Sequence, residues 1–163
     1  MEIHCDYFRA TGDETARETH ARPGGPLHPD SGAGVAFDGV ATQAIFDSLH
    51  LEQFVTLARG VSFDRRPKSH GLWPPSNTPP SVDETSLWQT DPSVERLDTQ
   101  IRDGLADINP ARAPELADVW IVVADIGLAV PRVIDAVVDL TALARRAREG
   151  QEQVYCWSIL APG

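Results

Sequence analysis

The spacing of apolar and polar positions changes period several times along the chain, and each change marks an element. EIHCDYF, residues 2–8, is rich in β-branched and aromatic side chains and predicts a strand. Alternation sends Ile3, Cys5 and Tyr7 to one face of it and His4, Asp6 and Phe8 to the other. QVYCWSIL, 153–160, predicts a second strand near the far end, and VAFDGV, 35–40, a short third one. Helical spacing takes over in DSLHLEQFVTLARG, 47–60: Asp47 suits the cap, Leu51, Phe54, Val55 and Ala58 share a face, and Gly60 suits the stop. A helix over 91–108 is predicted from Asp91-Pro92 as cap and first residue, with Val94, Leu97, Ile101, Leu105 and Ile108 in one stripe. The clearest helix runs over 131–149, with Val133, Val137, Leu140, Ala144 and Ala147 along one face.

Other stretches are less regular. Residues 12–20 predict a short helix, with Asp13 and Glu14 in the first turn where they suit its dipole. The Pro start and the ELAD segment make 114–127 a helix, although its short apolar run VWIVVA also fits a buried strand. Pro and Gly punctuate 21–34 too densely for any element. Residues 61–90 read as a long irregular loop, since Pro74, Pro75, Pro79 and Pro80 exclude a helix there.

A lone strand is unstable in water. The first and last strands are therefore expected to pair in a small sheet, packed by four or five helices, in an α+β fold. At 163 residues the chain reads as one domain, 1–163, able to bury roughly 70% of its unfolded surface.

Charge and cysteines narrow the function classes. A formal charge of −10 argues against a nucleic-acid partner, whose phosphate backbone is held by clustered Lys and Arg. There is no basic region followed by an apolar signal segment and no apolar run near 18 residues, so a cytoplasmic protein without a membrane span is expected. Cys5 and Cys156 have no CxxC spacing, are too few for a disulfide framework and read as core packing. Five histidines occur without metal-binding spacing, and Gly-rich phosphate motifs are missing; neither a metal nor any other cofactor is expected.

Two places could carry chemistry. His4 and Asp6 share a strand face and could act as acid and base, with His70 as a further weak candidate. The 61–90 loop gathers Arg65, Arg66, Lys68 and His70 beside Trp73 and reaches Trp88. Arg forks grip carboxylates or phosphates and Trp supplies apolar area, so Arg65, Arg66, His70, Trp73 and Trp88 are the candidate ligand-binding set. The ordinary alternative is a surface loop pinned by its tryptophans. Arg145, Arg146 and Arg148 fall in a helix's last turns, where cations suit the dipole.

The pieces DYFRA (6–10), FDGV (37–40), RGVSF (59–63), WPP (73–75), the Trp88 region and ALARRAREGQEQVYCW (142–157) together resemble a group of small cytosolic proteins from high-GC bacteria. The resemblance implies a single α+β domain and attaches no activity. Members tend to carry a lysine and a Gly-x-Asp-Pro-like turn after the FDGV strand. Here Gln43 and Ala44 take the Lys-Gly positions and no Asp-Pro follows, which implies that any site built on that turn is lost or changed.

The leading expectation is a non-catalytic binding domain for a protein partner or a small anionic or aromatic ligand, with a homodimer left open. The alternative is an enzyme of specialised metabolism, with an acid/base pocket floored by His4 and Asp6 under the 61–90 loop.

Overall fold

The computed structural model describes residues 2–28, 36–42, 47–75 and 92–161. Five strands, β1 (Glu2–Ala10), β2 (Gly39–Thr42), β3 (Ser69–Trp73), β4 (Ser93–Leu97) and β5 (Gln153–Ala161), form one sheet in the order β2-β1-β5-β4-β3. Every neighbouring pair is antiparallel. The helices are α1 (Asp13–Arg17), α2 (Ser48–Arg59), α3 (Thr99–Ala106), α4 (Ala113–Val123) and α5 (Val130–Glu149). The first and last strands pair along their whole length, from Glu2 opposite Ala161 to Ala10 opposite Gln153. The fold is α+β, as expected.

Strand alternation divides the core in two. Cys5, Tyr7, Leu97, Val154 and Cys156 face the layer formed by α2 to α5. Phe8, Ala10, Val94, Tyr155 and Trp157 face the opposite way, under Ala16 of α1, Leu27 and Phe37. The first cluster holds most of the buried side chains, with Trp120 tilted against Phe54 at 4.5 Å. Burying a large apolar side chain contributes about 1.5–3 kcal/mol, so this layer dominates stability.

Three expectations need correction. The helix expected over 91–108 is a strand followed by a helix. Val94 and Leu97 have helical spacing, but they point to opposite faces of the sheet. The helix starts after Asp98, which caps it by accepting from Gln100 N at 2.8 Å, and Asp91 lies outside the described residues. The 61–90 stretch is not irregular throughout: it contains a short 3-10 turn, Phe63–Arg65, and strand β3. Its proline-rich part beyond residue 75 lies outside the described residues. The strand expected over 35–40 begins only at Gly39 and runs to Thr42. Glycine is required there, because a Cβ would lie 2.2 Å from Tyr7 O and 2.4 Å from Leu27 Cδ2.

The helical expectations otherwise match. Asp47 caps α2 by accepting from His50 N at 2.9 Å, and Gly60 ends it at φ 66°. Residues 113–123 are helix, which settles the ambiguity of the VWIVVA run. The arginines ending α5 reach further than a dipole argument foresees. Arg145 donates to the Ala106 and Ile108 carbonyls at the end of α3, Arg146 to Asp38 and Arg148 to Asp107. They tie the end of α5 to its neighbours.

Candidate functional site

His4 and Asp6 do share a face, the one turned away from the main helical layer. Asp6 lies opposite Trp157, Trp157 opposite Val94, and Val94 opposite Trp73, so one row crosses the sheet from Asp6 to Trp73. That row also separates them. Three strand spacings at about 4.8 Å put Trp73 roughly 14 Å from Asp6. The roof over Asp6 comes instead from the 22–28 loop. Gly25, at φ 90°, lies so close that a Cβ would sit 3.0 Å from Asp6 Oδ2 and 3.2 Å from Trp157 Cζ3. Asp6 is half-buried and accepts no hydrogen bond among the described residues. Burial pushes its carboxyl above the usual range, and the His28 and His4 imidazoles offset part of that.

The cationic loop residues are dispersed among structural roles. Arg66 donates to Glu52 of α2 at 3.2 Å, and the same carboxylate accepts from Ser69 N at 2.9 Å. Glu52 is only 6% exposed, so it anchors the entry to β3. His70 is half-exposed, with Nε2 3.6 Å from Asp98. Arg65 is exposed on the 3-10 turn. Trp73 stacks on His20 at 3.8 Å, which fastens the segment after α1 to β3. Trp88 lies outside the described residues, as do Gln43 and Ala44. The candidate ligand set therefore does not converge among the described residues.

A second polar group went unforeseen. Asp13 of α1 accepts from Arg96 Nη1 at 2.5 Å and from Tyr155 Oη at 3.0 Å. Burial, and then that bond to Asp13, hold the Tyr155 hydroxyl above its ordinary range. The sequence placed Asp13 in a first turn but could not say which strand residues would meet it.

Cys5 and Cys156 are both buried and lie diagonally across β1 and β5, with Tyr7 opposite Cys156 and Ser158 opposite Cys5. The neighbouring Cys5 thiol and burial push Cys156 well above the ordinary thiol range. A shielded, protonated thiol is a poor nucleophile, which favours the packing role. Among the described residues no cluster of His, Cys, Asp and Glu could hold a metal, and no helix is long and apolar enough to cross a membrane.

The feature that stands out lies elsewhere. Helix α4 buries Ala113, Leu116, Ala117 and Trp120 and turns valines outward on its other side. Val119, Val122 and Val123 are 43%, 79% and 64% exposed, at the i, i+3, i+4 spacing that makes one stripe. Exposed Glu115, Asp118 and Asp125 edge it. A clue was present in the sequence: a helix reading VWIVVA has more apolar positions than one buried face takes. No family model, curated protein or solved structure matched the chain in comparison.

Proposed function

We propose that the chain is a non-catalytic binding domain and that its partner is a protein surface with apolar side chains flanked by Lys or Arg, docked on the outer face of α4. The valine stripe is the observation that carries this reading. Contiguous apolar exposure marks interaction sites, whereas single exposed valines need no explanation. The rim selects the partner. In a two-fold pairing of α4 with itself run antiparallel, Glu115 at one end would approach Asp125 at the other, and like charges oppose that contact. A base-flanked partner gains from the same carboxylates. The enzyme alternative has less support, because Asp6 is roofed by Gly25 and lies far along the row from Trp73.

A synthetic amphipathic helix of leucine and lysine is the probe. It should bind the native chain and bind the Val122→Ser/Val123→Ser variant at least about tenfold more weakly, the equivalent of about 1.4 kcal/mol. A leucine-glutamate helix should not bind. Equal affinity for native chain and variant would reduce the interaction to the acidity of the whole surface and overturn the proposal. Concentration-dependent dimerisation lost in the same variant would replace it with self-association.

A further inference from the structure

We infer that the outer edge of β2 is a separate docking site, one that takes an extended peptide segment carrying Lys or Arg as an added strand. The two edges of the sheet are treated differently. At β3 the edge is managed: the ladder is irregular between Gly71 and Trp73, Arg17 of α1 donates to the Leu72 carbonyl, and His20 stacks on Trp73. Bulges and covering elements are the ordinary ways of blocking strand addition. At β2 the described residues show no bulge and no hydrogen bond to the outward backbone groups. The strand pairs with β1 alone, in unbroken register from Cys5 opposite Thr42 to Phe8 opposite Gly39, and its four residues, GVAT, include no charge and no proline.

The phase of the ladder identifies the exposed groups. Arg9 N donates to Asp38 O at 3.1 Å. Hydrogen-bonded pairs alternate along an antiparallel ladder, so Tyr7 with Val40 and Cys5 with Thr42 are bonded pairs, while Asp6 with Ala41 is not. The Ala41 amide and carbonyl therefore point outward, and the residue is exposed. Beside them α5 overhangs the sheet. A cavity of about 260 Å³ is lined by Val40, Ala41 and Thr42 on the strand side and by Leu128, Arg132, Asp135, Ala136 and Asp139 on the helix side.

The charged part of these walls, Asp135 and Asp139 against the single Arg132, is net acidic and selects the occupant. An added strand exchanges backbone hydrogen bonds with Ala41, and its alternate side chains meet the overhanging helix. Asp135 and Asp139 lie one turn apart on α5 and have no ion pair within the described residues. They complement a Lys or Arg on the incoming strand, and Val40, Leu128 and Ala136 take an apolar neighbour. The site depends on β2 and α5 and not on the valines of α4, so the two proposals stand or fall separately.

The test titrates the isotope-labelled chain with a synthetic peptide of alternating valine and lysine, following amide shifts and hydrogen exchange. Shifts should gather at residues 40–42 and 135–139, and the Ala41 amide should exchange more slowly. Asp135→Asn/Asp139→Asn should weaken binding about tenfold. Ala41→Pro, a substitution an edge strand tolerates, should abolish it, and so should a backbone N-methylated peptide used on the native chain. Val122→Ser/Val123→Ser should leave it unchanged. An Ala41 amide unprotected at saturation, or an N-methylated peptide that binds as well as its parent, would overturn the inference. Shifts confined to α4 would also overturn it.

Discussion

Replacing Glu52 by alanine removes the group from which the start of β3 is suspended. The residue is 6% exposed, and its carboxylate accepts from Ser69 N at 2.9 Å, from Ser69 Oγ at 3.3 Å and from Arg66 Nε at 3.2 Å. Hydrogen bonds to a charged group contribute about 1.5–3 kcal/mol each when one partner is deleted, and breaking a buried ion pair costs about 3–5 kcal/mol. Arg66 remains 30% exposed and can be hydrated after the loss, so the Arg contribution falls well below that range. About 2–3 kcal/mol is expected for Glu52→Ala, a sizeable share of a typical total of about 5–15 kcal/mol. Glu52→Gln keeps an acceptor for Ser69 and should cost about 1–1.5 kcal/mol. Urea denaturation reads both, with an unchanged slope showing that the unfolding transition is the same. A cycle with Arg66→Met should return a coupling of about 1 kcal/mol. An alanine variant within about 0.5 kcal/mol of native stability, or a coupling near zero, would refute the reasoning.

Gly104→Ala should destabilise by about 1–2 kcal/mol despite a helix-propensity gain of about 1 kcal/mol, because its Cβ would lie 2.5 Å from Val55 Cγ1; adding Val55→Ala should recover most of the loss in a thermal melt. Burial raises the Glu95 carboxyl, and Asp47 and Glu52 reinforce the shift against a bond from Ser48. The folded chain thus holds that proton more tightly than the unfolded chain, and the native state loses stability as pH rises from the ordinary glutamate value through the raised one. Glu95→Gln should therefore raise the melting temperature at pH 7 and leave it nearly unchanged well below the ordinary glutamate value; a uniform shift at both would contradict the assignment. Native Cys5 and Cys156 should react with an aromatic disulfide reagent only as fast as the sheet opens, and rapid labelling of both would show that β1 and β5 are not shielded.

The sequence made the ends of this fold legible and left its middle obscure, for physical reasons. β1 and β5 are bounded and rich in β-branched and aromatic residues, so their pairing followed from the instability of a lone strand. Over 93–108 two periods overlap: Val94, Leu97, Ile101 and Leu105 fit one helical stripe, yet the first two residues divide between opposite faces of a sheet. Only the neighbours on β3 and β5 decide that Ser93–Leu97 is extended, and neighbours cannot be read from a local pattern. The candidate site fared similarly. Alternation correctly put His4 and Asp6 on one face, but the roof depends on where Gly25 of a loop comes to rest. The grouping of Arg65, Arg66 and His70 was proximity along the chain, and the fold assigns Arg66 to Glu52 and sets His70 near Asp98.

The outward valines of α4 test whether that helix was shaped for the stability of the free chain or for contact. Valine is a poor helix former, and arginine is better by about 0.3–0.4 kcal/mol. Val122 is 79% exposed and follows Asp118 by four residues, an arrangement in which an introduced arginine gains about 0.2–0.5 kcal/mol from the acid one turn earlier. It would also stand in the last turn of a helix that has no basic residue there, adding about 0.3 kcal/mol from the dipole. Val122→Arg should therefore stabilise the isolated chain by about 1 kcal/mol, raising the melting temperature by about 2–4 °C, while binding of the leucine-lysine helix falls at least about tenfold. Stability gained together with docking lost is the signature of a residue kept for a partner. A variant destabilised by about 1 kcal/mol or more would mean that Val122 is covered within its own chain, and the docking face would have to be sought elsewhere.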